Sequence, residues 1–215
     1  MLAYCIAELE SQIRIPDRGV KEAPIRSIDI AMLRCLVSDF DSRAPHEALP
    51  EMVKAFNRVL QKIFEQTVII PFRFPTIVET EDVLRNFIKE RAARYSRALH
   101  RLRNKVQVDV RISREMVPEA AGATSQSGKS YLELKRAGYQ QVQSVLEEFR
   151  RASGSLAEKW VQRDTPSGIR GFALVDRASL SVFLENIGRV DTPAGISARV
   201  TGPWPASEFV EATDE

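Results

Sequence analysis

The sequence predicts an α+β protein built from two small layered domains of helix on sheet, joined by a long helix. Periodic stretches follow one another in the order βββ-α-β, then a long helix, then β-α-β-α-β. No glycine-rich nucleotide fingerprint opens a helix after a strand, so a single doubly wound sheet has no support. At 215 residues the chain suffices for one ample domain or two small ones. The helix that begins at Thr80 is the natural connector. The expected domains are therefore 1–78 and 79–215, the second taking in that helix and the C-terminal tail.

Each element has a local reason. Leu2 to Leu9 is an apolar run ending in acids, Pro24 to Ile30 alternates, and Leu33 to Val37 is again nearly continuous apolar. These suit three strands of a sheet with at least one covered face. Pro16-Asp17-Arg18-Gly19 is a turn signal between the first two. Pro50 fits the first helical position and Glu51 the first turn, after which Met52, Val53, Phe56, Val59, Leu60, Ile63 and Phe64 recur at helical spacing. Val68 to Phe74 reads as a short strand, and Pro71, which cannot donate a ladder hydrogen bond, predicts an edge or a bulge there.

Thr80 is a candidate N-cap with Glu81 and Asp82 behind it. Leu84, Phe87, Ile88, Ala92, Tyr95, Leu99 and Leu102 then predict a helix of about six turns with one apolar stripe. Val106, Val108, Val110 and Ile112 alternate with Gln107, Asp109 and Arg111, the period of a strand with one face inside. Ser113 to Ser130 is small and polar and reads as a flexible connection. Leu132, Tyr139, Val142, Leu146 and Phe149 predict a further helix that stops at Ser153-Gly154-Ser155. A strand over Ile169 to Val175, a short helix over Leu180 to Ile187 and a last strand over Ile196 to Val200 lead into Gly202-Pro203-Trp204-Pro205.

Composition excludes several function classes. With 44% hydrophobic and 28% charged residues the chain can bury a core, unlike a disordered or fibrous one. A formal charge of +2 is too small to make phosphate binding the default. No stretch approaches the roughly 20 unbroken apolar residues of a membrane span, and Met1-Leu2-Ala3-Tyr4-Cys5 lacks the charged start of a signal peptide. A soluble cytoplasmic protein without a membrane partner is the expectation. Cys5 and Cys35 lie in strand-like apolar stretches as small hydrophobes, too few for a disulfide framework. His46 and His100 stand apart with no CxxC nearby, so no metal site is expected.

Motif-level chemistry is absent. Gly128-Lys129-Ser130 ends like a phosphate loop, but Gly122 and Gly128 enclose five residues where that motif needs four. No nucleotide and no other cofactor is expected. Asp39 with Asp41, and Glu147 with Glu148, read as solvated acids, and no serine or cysteine has a recognisable base, so no catalytic residue is assigned.

The basic feature is the stretch from Arg85 to Lys105, with eight Lys or Arg residues and one acid, Glu90. Arg91, Arg94 and Arg101 on the face opposite the apolar stripe are candidate contacts for a partner. Without interleaved aromatics beyond Tyr95 the helix is a poor nucleic-acid reader, and an acidic protein explains it as well. Trp204 and Phe209, amid prolines near the C-terminus, either return to the core or form a docking surface, and Trp160 permits the same two readings.

Four landmarks in order give the chain a likeness. Phe56-Asn57-Arg58-Val59-Leu60 leads to Val68-Ile69-Ile70-Pro71-Phe72-Arg73-Phe74, Tyr131-Leu132 opens a helix, Phe172-Ala173-Leu174-Val175-Asp176-Arg177 forms a strand, and Gly202-Pro203-Trp204-Pro205 precedes Phe209-Val210. Over nearly its whole length the chain thus resembles the gas vesicle protein F/L family (GvpL/GvpF). Pro75 stands where that family usually has glycine, and Ala206-Ser207-Glu208 where it commonly has Pro-Tyr-Ser. The resemblance implies a non-catalytic protein of two α+β domains, the N-terminal one modified ferredoxin-like, located at the gas vesicle within the cytoplasm. Its implied partners are the vesicle shell protein and other accessory proteins. The competing classes are a relative repurposed as an adaptor or nucleic-acid-binding module through the basic helix 85–105, and an enzyme of unrecognised type.

Overall fold

The architecture comes from a computed structural model that describes residues 1–40, 49–114 and 128–211, with the backbone alone for 128–135. His46, Asp41 and most of the connection expected at 113–130 lie outside the described residues. By its internal contacts the chain falls into two compact units, one of residues 1–105 with 205–215 and one of residues 106–204. This differs from the expected boundary between 78 and 79. The long helix packs on the first sheet, so it groups with the N-terminal unit, and the C-terminal tail returns to that unit as well.

The first unit holds strands β1 (Leu2–Glu8), β2 (Ile25–Ile30) and β3 (Leu33–Ser38), helix α1 (Leu49–Phe64), strand β4 (Ile70–Pro71) and helix α2 (Glu81–Arg101). Its sheet order is β2-β3-β1-β4, and every pairing is antiparallel. β2 and β3 turn tightly at Ala31-Met32, with Ile30 opposite Leu33. β4 lies at an edge, as Pro71 requires. It is shorter than the expected run to Phe74. Residues 76–78 then rejoin β1, through Ala3 N–H to Thr76 O at 3.0 Å and Val78 N–H to Met1 O at 2.8 Å.

α1 turns Met52, Phe56, Val59, Ile63 and Phe64 inward, the stripe its spacing predicts. α2 is capped as expected: Val83 N–H donates to Thr80 Oγ1 at 3.3 Å, and Glu81 and Asp82 occupy its first turn. The stripe on α2 needs correcting. Leu84, Ile88, Ala98, Leu99 and Leu102 are buried, Ala92 and Tyr95 half-buried, and Phe87 faces out at 39% exposure.

The second unit runs β5 (Lys105–Arg114), α3 (Gly128–Ser153), β6 (Ala157–Thr165), β7 (Gly168–Asp176), α4 (Leu180–Ile187) and β8 (Ile196–Trp204). The sheet order is β6-β7-β5-β8, with β6–β7 and β5–β8 antiparallel. This β-α-β-β-α-β sequence with its first and third strands at the centre is the ferredoxin-like split βαβ arrangement. The first unit has the same placement of its first to fourth strands, but residues 9–24 join β1 to β2 with only a short turn at Val20–Glu22 where a crossover helix would stand. The modified form of the fold is therefore the N-terminal one.

β6 was not expected. Its nine residues, Ala157 to Thr165, are all exposed or half-buried, so they carry no apolar period to betray an edge strand. The β6–β7 hairpin closes through Pro166-Ser167, and Gly168 opens β7 at φ 155°, where an added Cβ would meet Ile112 O at 2.0 Å.

Candidate interaction surfaces

The residues singled out in the sequence divide between the units. On α2, Arg91 and Arg101 are half-buried rather than opposite the apolar stripe. Long guanidinium side chains lay their stems along apolar surface and keep only the head polar. The Arg91 head sits 4.2 Å from the Phe87 ring centre, donates to Phe87 O at 3.1 Å and pairs with Glu90 at 3.0 Å. Arg94 pairs with Glu211 at 2.7 Å, and Arg101 donates to Phe209 O at 2.8 Å. Phe209 itself is 1% exposed. These contacts clasp the final segment onto α2, so Phe209 is core and two of the three arginines hold it there.

Other cations of the helix are also engaged. Arg85 bonds Glu81 at 2.6 Å and Asp29 O at 2.9 Å, and Arg103 pairs with Glu8 at 2.8 Å. Glu81 is held below the usual carboxylate range by its hydrogen bonds to Arg85 and Arg26. The helix is not a bare cationic ridge. Among its exposed charged residues it also presents an apolar pair: Val83 and Phe87, one turn apart, are 53% and 39% exposed.

Beside this unit's sheet lies an open cleft of about 1150 Å³, lined by residues 9–17 together with Arg34, Lys62, Glu65 and Gln66. Gln66 pins its rim, accepting from Arg14 N–H at 2.7 Å and donating to Arg14 O at 3.1 Å. Its lining holds no cysteine, histidine or paired acids. The two cysteines are buried free thiols on neighbouring strands, and burial pushes Cys35 up to about 12 and Cys5 higher still, so neither serves as a nucleophile. Among the described residues no group of three or more His, Cys, Asp or Glu could hold a metal, and no helix is long and apolar enough to cross a membrane.

In the second unit α3 and α4 pack on one face of the sheet. Trp160 belongs to that face: its Nε1 donates to Ser153 Oγ at 3.3 Å, its ring lies 6.5 Å from Phe183, and Gly171 leaves room beneath it. Trp160 is thus half-buried scaffold. Trp204 is the reverse, 47% exposed with only a 3.4 Å bond from Nε1 to Thr201 Oγ1. Register places it opposite Gln107, on the face turned away from the helices.

That opposite face carries a polar network that sequence reading missed. Gln107 Nε2 donates to Asp109 Oδ1 at 2.7 Å, and Arg170 donates to Asp109 Oδ2 at 2.7 Å while standing 5.0 Å from the Phe172 ring centre. Asp109 is 8% exposed, a buried carboxylate paired with the Arg170 guanidinium. The signal was present in the strand alternation, where Gln107, Asp109 and Arg111 mark the second face of β5, but nothing local paired them with β7.

The comparisons with known proteins match this two-unit architecture along nearly the whole chain. The model of the gas vesicle synthesis protein GvpL/GvpF family covers residues 1–211. Gas vesicle protein L of Streptomyces sp. (strain CB03234) is 25% identical over 216 aligned positions, which span 89% of this chain and 79% of that protein. In fold, the chain is similar to the crystal structure of the gas vesicle protein GvpF from Anabaena sp. PCC7120, with a TM-score of 0.75 at 15% identity over 99% of this chain and 96% of that one. GvpF from Microcystis aeruginosa superposes with a TM-score of 0.74 at 15% identity, covering 98% of each chain. The two-unit α+β architecture and the match from residue 1 to residue 211 agree, and the chain belongs to the gas vesicle GvpL/GvpF family.

Proposed function

We propose that the protein acts in gas vesicle assembly as a binding protein without catalysis, holding the shell protein and other accessory proteins while the vesicle forms in the cytoplasm. The family match over residues 1–211 carries this reading. Two features of the surface support it. Val83 and Phe87 on α2, flanked by Arg91, offer an apolar contact with a cationic border, and Trp204 offers a half-exposed ring on a different element. Aromatic and arginine side chains of this sort anchor protein interfaces. Arg91 and Trp204 are therefore the contact residues we assign first.

The alternative of a nucleic-acid module on helix 85–105 has less in its favour, because Arg85, Arg91, Arg94, Arg101 and Arg103 already serve partners within the chain. Deletion of the gene in a vesicle-forming host tests the assembly reading. Loss of pressure-sensitive light scattering, restored by the wild-type protein, is the expected result. Normal vesicles in the deletion strain would contradict it.

A further inference from the structure

Residues 205–211 are held on the first unit in the manner of a bound peptide. The segment joins no strand of either sheet. Its own main-chain bonds close a single short turn, from Ser207 N–H to Pro205 O at 2.7 Å, Phe209 N–H to Ala206 O at 3.1 Å and Val210 N–H to Ser207 O at 3.4 Å. Side chains fix it to the unit. Phe209 is 1% exposed and Ala206 3%. The Arg101 guanidinium donates to the Phe209 carbonyl at 2.8 Å, and Arg94 pairs with Glu211 at 2.7 Å. Arg94 stands about two turns before Arg101 on α2, so the segment runs along the helix against its direction. Charge agrees with this placement: residues 205–215 carry four acids and no Lys or Arg, whereas the stretch from Arg85 to Lys105 carries eight bases and one acid. An aromatic anchor in a dry seat, a captured carbonyl and a charged pair at the rim are the means by which a groove reads a linear segment. The hold is uneven, because Arg94 and Glu211 are 46% and 81% exposed, and a pair so wet contributes little. The ring is the anchor.

We propose that this seat on α2 is a recognition site for a partner polypeptide carrying an aromatic residue with an acid two positions on, and that residues 205–211 are its built-in competitor. A tethered segment faces its own seat at an effective concentration in roughly the millimolar range, so a dilute free competitor meets a filled site. The apparent affinity for that competitor is lowered by the fraction of molecules whose seat is open. The strap thus sets a threshold, passed by a partner that presents the segment in many copies. The inference stands on the contacts of residues 205–211 within the first unit and not on the assembly reading, which concerns Val83, Phe87, Arg91 and Trp204.

A fluorescein-labelled peptide with the sequence of residues 205–211, titrated into the full-length protein and followed by anisotropy, tests it. Glu211→Lys, which sets the strap against Arg94, and Phe209→Ala, which empties the seat, should each bind the peptide at least about tenfold more tightly than the wild type does. Adding Arg101→Gln to either variant should weaken that binding by roughly tenfold through loss of a charged hydrogen bond. A peptide with alanine in place of its phenylalanine should not bind. The urea midpoint of Phe209→Ala should rise with added peptide, while that of the wild type stays where it is. Glu211→Lys leaves the buried ring in place and gives the answer if Phe209→Ala does not fold. A peptide that binds neither variant, binds both no better than the wild type, or binds regardless of Arg101 or of its own ring would overturn the proposal.

Discussion

Tyr4 is where the first unit's elements converge. Its ring stacks on Phe56 of α1 at 5.1 Å, and its hydroxyl meets Ser38 Oγ of β3 and accepts from Val20 N–H, each at 2.9 Å. Gly19 makes the second contact possible, since a Cβ there would sit 2.1 Å from the hydroxyl. Tyr4→Phe leaves a buried N–H and a buried serine short of a partner, and should cost about 1–3 kcal/mol in urea unfolding. Gly19→Ala should destabilise through the same contact. Cys5 and Cys35 set a second expectation at this scale. Their thiols stay protonated in the fold well above the ordinary value of 9.0, whereas the unfolded chain loses those protons near 9. Above that pH the unfolded state binds fewer protons, so stability should fall by on the order of 1.4 kcal/mol per pH unit for each thiol until the folded form ionises. Cys35→Ala should flatten that slope, and a thiol reagent at neutral pH should label neither cysteine until the protein is unfolded. An apolar run announced both cysteines as buried. No sequence pattern announced Tyr4, because its partners lie 16, 34 and 52 positions away, at Val20, Ser38 and Phe56.

Elements were legible where one face is buried against another. β5 has clean alternation and α1 a continuous stripe, and both stand where their periods put them. β6 was illegible because an edge strand with both faces partly wet has no period to read. α2 was read correctly as a helix but rotated wrongly: Phe87 was counted among the inward residues, yet it serves as the platform for Arg91 on the outer face. The final segment separates the two aromatic candidates. Phe209, fixed by Arg101 and bordered by the Arg94–Glu211 pair, should cost about 3–5 kcal/mol on replacement by Ala, as a lost buried ring does. Trp204→Ala should cost under about 1 kcal/mol, because nearly half its surface is already wet. Urea midpoints of the two variants check both. Equal losses would mean that Trp204 is also scaffold.

For the molecule as a whole, two sheets share one strand placement, with the crossover helix between the first two strands present in the second unit and absent from the first. The chain leaves the first unit at residue 105 and returns to it at 205. Truncation after residue 204 should therefore lower the stability of the first unit by removing Phe209 and the clasp on α2, while the second keeps its own strands. The α+β class and the family were legible from motifs in order along the chain. The Asp109–Arg170 pair was not, because strands β5 and β7 bring residues 61 positions apart together only in the folded sheet. Co-expression of this protein with the shell protein encoded beside a gas vesicle gene cluster, followed by affinity purification, tests the central claim most directly. The two should elute together, with less shell protein retained by a folded Phe87→Glu or Trp204→Glu variant. A shell protein that never co-elutes, across detergents and expression levels that keep both chains in solution, would contradict the account.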